Sequence, residues 1–81
     1  MILNKKELSL KTGLNLQRIS TLLCRAEFQK FIISAQKINV CKELLNELNN
    51  YLNLRKANIR QSARNDIELC QARINDLRKE L

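Results

Sequence analysis

Lys5-Lys6-Glu7-Leu8-Ser9-Leu10-Lys11-Thr12-Gly13-Leu14-Asn15-Leu16-Gln17-Arg18-Ile19-Ser20-Thr21-Leu22-Leu23 is the stretch that decides the fold, because it spells two short helices joined at a lone glycine. The first helix is announced from just before it. Asn4 can cap, Glu7 stands three residues later as in a capping box, and Leu3 and Leu8 occupy the two hydrophobic-staple positions. The helix stops at Thr12-Gly13, where glycine can take the positive φ that a sharp turn needs. A second start follows at once, with Asn15 as cap and Leu14 and Ile19 as a second staple. Ile19, Leu22 and Leu23 share one face at helical spacing, and this helix is expected to run to about Arg25.

Beyond Phe28 the pattern changes. Phe31-Ile32-Ile33 and Ile38-Asn39-Val40 are β-prone runs around the polar turn Ser34-Ala35-Gln36-Lys37, which reads as a small β-hairpin. No Gly or Asn-Gly marks the turn, so a continuous helix through Ala35 is the competing reading. From Cys41 onward neither Gly nor Pro interrupts the chain. Leu45, Leu48, Leu52, Ile59, Ala63, Ile67, Cys70, Ile74, Leu77 and Leu81 follow at steps of mostly three, four or seven, a coiled-coil-like seam. The steps of four from Ile59 through Ala63 to Ile67 are a stutter that should loosen the supercoil. Arg55 and Ser62 interrupt the seam, and a break or hinge is expected near residues 53 to 58.

The expected architecture is therefore mainly α: two short helices and a hairpin, then a long C-terminal helix or helical hairpin. Residues 1–52 form the head, and residues 53–81 are a helical oligomerisation segment. Leu45, Leu48, Leu52, Ile59, Ile67, Cys70, Ile74 and Leu77 are the expected pairing surface of a homodimer or higher homo-oligomer. A chain of 81 residues is near the lower size limit at which one core holds a fold, which favours a single domain plus such a segment.

Charge narrows the partner. The net charge is +7, and residues 1–42 carry eight Lys or Arg against two Glu, whereas residues 65–81 carry three against four acidic residues. A basic amino-terminal half suits a polyanion, since each phosphate neutralised releases condensed counterions. Cys24, Cys41 and Cys70 have no CxxC spacing and no His to complete a common zinc site, so they read as small packing residues in a reducing cytoplasm. No run approaches a membrane span, and Met1 to Asn4 is too short for a signal h-region. His is absent, no Gly-rich phosphate loop exists, and the carboxylates sit at surface helix spacings; neither an enzyme nor a cofactor is expected. With only Phe28, Phe31 and Tyr51 as aromatics there is no base-stacking platform, which favours duplex over single strands.

Residues Lys5 to Leu23 resemble a bacterial helix-turn-helix, matching its apolar, small and glycine positions at Leu8, Ser9, Gly13, Leu14, Ile19 and Leu22. The hairpin and the following Lys42-Glu43-Leu44-Leu45-Asn46-Glu47-Leu48 narrow the resemblance to winged-helix proteins of the MerR and phage-excisionase type, over roughly residues 1–52. The resemblance implies a sequence-specific double-stranded DNA-binding protein. A transcription regulator or an excisionase-like architectural factor of a phage or other mobile element, acting as a dimer on the nucleoid in the cytoplasm, is the expectation. Asn15, Gln17, Arg18, Ser20 and Thr21 would read bases, while Lys5, Lys6, Arg25, Lys30, Gln36 and Lys37 would touch the DNA backbone. Leu16 departs from the pattern, standing where the family usually has a small polar residue; it would pack on a thymine methyl or against Phe31. The alternative is a helical adaptor or antitoxin-like protein that binds a partner protein through its C-terminal helix.

Overall fold

Asn4 Oδ1 accepts the Glu7 N–H at 2.8 Å and Glu7 Oε1 accepts the Asn4 N–H at 3.2 Å, closing the capping box that starts α1 (Lys5–Thr12). The computed structural model describes residues 1–81 and turns the chain at Gly13, its one residue of positive φ (78°). The Gly13 N–H reaches back to the Ser9 carbonyl at 2.9 Å, an αL helix ending. Thr12 is buried beside it, its Oγ1 donating to the Leu8 carbonyl at 2.7 Å. Asn15 Oδ1 then accepts the Arg18 N–H at 2.7 Å and starts α2 (Leu16–Leu23). Leu3 with Leu8 and Leu14 with Ile19 are all buried, as the two staples require.

α2 stops two residues short of Arg25. The Cys24 and Arg25 N–H groups bond to the Thr21 and Leu22 carbonyls, tightening the last turn, and a short unanticipated helix follows, α3 (Ala26–Gln29), which sinks Phe28 into the core. The hairpin forms in place of the continuous helix. β2 (Ile32–Ser34) and β3 (Lys37–Asn39) pair antiparallel around Ala35-Gln36, with a register irregularity between Ile32 and Ser34. A further strand, β1 (Ile2–Leu3), pairs antiparallel with the other edge of β3, giving the order β1-β3-β2. Sequence reading missed it because two residues carry no period.

The tail is a helical hairpin. α4 (Lys42–Lys56) and α5 (Gln61–Glu80) are separated at residues 57–60, overlapping the later part of the expected break, and Ala63 and Ile67 of the stutter lie within the continuous helix α5. The two helices run antiparallel. Arg78 Nη1 donates to Asn46 Oδ1 at 2.6 Å, Asn49 Nδ2 to Asn75 Oδ1 at 3.0 Å, and Gln71 Nε2 to Asn53 Oδ1 at 2.7 Å. The other side of α5 packs on α1.

This arrangement corrects the expected use of the seam. Leu45, Leu48, Leu52, Ile67, Ile74 and Leu77 are buried in the chain's own core, and Ile59 and Cys70 are half-buried against it. The stripe that was expected to pair between chains is covered within one. Nor is there a packing division at residue 52: a single cluster of 17 buried apolar residues extends from Leu3 to Leu77. In a chain this short, splitting the apolar residues between two bodies would leave each with too little buried surface.

Candidate nucleic-acid interface

α2 is held from below by Ile19, Leu22 and Leu23, all buried. At 100° per residue, the face opposite these three is centred on Gln17, Thr21 and Cys24, with Ser20 beside them. Gln17, Thr21 and Cys24 are exposed and Ser20 is half-buried. The Thr21 hydroxyl donates to the Gln17 backbone carbonyl at 3.0 Å, and the Gln17 side-chain amide makes no intramolecular hydrogen bond. Asn15 is exposed at the helix start, but its Oδ1 is committed to the cap. Leu16 is 48% exposed, so it is not packed away against Phe31, which the core buries.

Arg18 lies on the flank of α2 rather than on its outward face. It is half-buried, and its Nη1 donates to Tyr51 Oη of α4 at 3.0 Å. Arg25, just past the end of α2 and extended at the start of α3, places its guanidinium 5.1 Å from the centroid of the Tyr51 ring. Asn15, Gln17, Arg18, Thr21, Leu22, Arg25 and Tyr51 together line a mostly polar groove of about 340 Å³. Four of the five expected base-reading residues, all but Ser20, thus meet in one place, joined by Arg25 from the expected backbone contacts.

The remaining expected backbone contacts lie outside that groove. Lys5 and Lys6 stand in the first turn of α1, and neither has a carboxylate within 4.0 Å; the positive end of the helix dipole makes that position mildly unfavourable for a cation unless an anion arrives. Gln36 and Lys37 are exposed at the hairpin turn. Lys30 is engaged differently, its Nζ lying 2.6 Å from Glu43 Oε1, and this carboxylate raises the lysine's pKa above the ordinary value. Lys30 is therefore a partly neutralised cation. Of the eight basic residues among residues 1–42, only Arg25 and Lys30 have a carboxylate partner, the Arg25–Glu27 approach being 3.7 Å.

Two residues of this surface escaped the sequence reading. Cys24 continues the Gln17–Thr21 line by one step and could have been found by carrying the helical wheel past Leu23. Tyr51 is separated from Arg18 by 33 positions, and no local pattern announces that contact. No group of His, Cys, Asp or Glu is arranged to hold a metal ion, and no helix is long and apolar enough to cross a membrane. No protein-family model, curated protein or solved structure gives a significant match to the chain.

Proposed function

We propose that the chain is a sequence-specific double-stranded DNA-binding protein of winged helix-turn-helix type. In this reading α2 lies in the major groove, the β2–β3 hairpin acts as a wing, and the role is that of a transcription regulator or excisionase-like architectural factor of a phage or other mobile element. The observation that carries it is the polar outward face of α2. Gln17, Thr21, Ser20 and Cys24 stand on a helix whose other side is locked into the core, beside a groove holding two arginines, in the half of the chain with the excess of positive charge. A rigidly held helix with a free side-chain amide can form paired hydrogen bonds to a base edge, each good bidentate contact discriminating by about 1–3 kcal/mol.

The alternative, an adaptor binding a partner protein through its C-terminal helix, relied on an apolar seam that the chain's own core occupies. Dimerisation still suits the reading, since one short helix discriminates weakly and two linked copies gain avidity. Its interface would lie outside the buried seam.

The test is fluorescence anisotropy with a pool of mixed-sequence duplexes, before and after rounds of selection, across a salt series. Selected sequences are expected to bind more tightly than the starting pool, with affinity falling as salt rises. The double variant Gln17→Ala, Thr21→Ala is expected to erase the preference while keeping the salt dependence. A protein that enriches no sequence and binds no duplex would overturn the proposal.

A further inference from the structure

The groove between α2 and α4 contains an arrangement that base reading does not require. Two guanidiniums are drawn to one phenol. Arg18 donates to Tyr51 Oη at 3.0 Å, and Arg25 lies over the Tyr51 ring at 5.1 Å. Bringing like charges together is unfavourable, and folded chains usually relieve it with a carboxylate. Here Arg18 has none within 4.0 Å, and Arg25 has only the exposed, weakly held Glu27 at 3.7 Å. A neutral tyrosine instead orients the pair without cancelling its charge. Arg18 spends one of its five N–H donors on the phenol oxygen, and the phenol's own proton is left to donate.

We propose that Tyr51 arms a phosphate clamp, in which its hydroxyl and ring hold Arg18 on the flank of α2 and Arg25 just beyond its end to grip the phosphodiester backbone at the groove wall. The inference rests on the DNA-binding reading above and changes the role of Arg18 from base reader to backbone contact. Its geometric ground is position. A helix lying in the major groove points its outward face, here Gln17, Thr21 and Cys24, at the bases, and its flanks at the two phosphate walls. Arg18, on the flank of α2, and Arg25, just past its end, meet at Tyr51 of α4 in one groove, and guanidinium forks match phosphate oxygens two at a time. Arg55, one turn beyond Tyr51 on α4, lines the neighbouring cavity together with Arg18 and with Asp66 of α5, which forms no ion pair within 4.0 Å with either arginine.

The experiment compares the wild-type protein with Arg18→Ala, Arg25→Ala, Tyr51→Phe and the double variant Arg18→Ala, Tyr51→Phe. Each is titrated onto one mixed-sequence 24-base-pair duplex and one selected duplex across a salt series, with thermal melts as a fold control. Each arginine variant is expected to lower the magnitude of the slope of log affinity against log salt by about 0.9, the value of one phosphate contact, on both duplexes. Tyr51→Phe keeps the ring and loses the hydroxyl, so affinity should fall by about 2- to 10-fold, the worth of one hydrogen bond. The same change in the Arg18→Ala background should do much less, because the hydroxyl then has no guanidinium to position. An Arg18→Ala variant that keeps the slope and loses preference between the duplexes would overturn the clamp. So would a Tyr51→Phe loss of equal size in both backgrounds, which marks a structural role. If the wild-type protein binds neither duplex, the DNA-binding reading itself fails and the clamp falls with it.

Discussion

Gly13 sets the angle between α1 and α2 through a backbone conformation that residues with a Cβ rarely adopt. Its second constraint comes from the far end of the chain, because an added Cβ would stand 3.2 Å from Arg73 Cδ and 3.5 Å from Cys70 Sγ. Gly13→Ala is therefore expected to destabilise the fold by about 1–2 kcal/mol from the left-handed backbone alone. In a chain of this size each kcal/mol corresponds to a fall in melting temperature of about 4–8 °C. Thermal unfolding followed by circular dichroism checks this, and an unchanged melting temperature would remove the turn from the account. Residue-scale features of this kind were legible in the sequence when they were local. The caps at Asn4 and Asn15 and the turn at Gly13 are written within four positions of the groups they satisfy. The Arg18–Tyr51 bond, made across 33 positions, was not.

Among the elements, α5 departs most from its sequence reading. Its apolar spacing matched a coiled-coil seam, and such spacing specifies that a stripe must be covered without specifying which helix covers it. The signal that would have settled the matter is the reversal at residues 57–60, and it is made without Gly or Pro. Asn58 Nδ2 takes the Leu54 carbonyl at 3.1 Å, and Arg64 Nε takes the Lys56 carbonyl at 2.9 Å, so side chains satisfy the end of α4 in place of a left-handed residue. Leu52→Asp distinguishes the two arrangements. With the seam inside the chain, an unpaired carboxylate in the core is expected to cost more than about 3 kcal/mol and to abolish the cooperative melt. A variant that stays folded and merely changes its mass in solution would instead place Leu52 at an interface between chains. β1 and α3 were missed for a different reason: with two and four residues, neither is long enough for apolar periodicity to register.

At the scale of the whole molecule, one core joins the amino-terminal strand to the last helix, so the basic half and the helical tail stand or fall together. That leaves the outward face of α2 as a rigid surface, and the two extreme cysteines report on it independently. Cys24 is exposed at the end of that face, whereas burial pushes the Cys70 thiol pKa up, with the nearby Arg73 opposing the shift. Exposed Cys24 should therefore alkylate first at neutral pH, and Cys70, half-buried and with its thiolate disfavoured, should need a more alkaline solution. The decisive experiment is the rate of Cys24 alkylation at neutral pH with and without saturating selected duplex, with Cys70 followed by mass spectrometry in parallel samples at alkaline pH. DNA is expected to reduce Cys24 labelling to a small fraction of its free rate and to leave Cys70 labelling unchanged. Equal labelling of Cys24 in both samples would contradict the placement of DNA on α2.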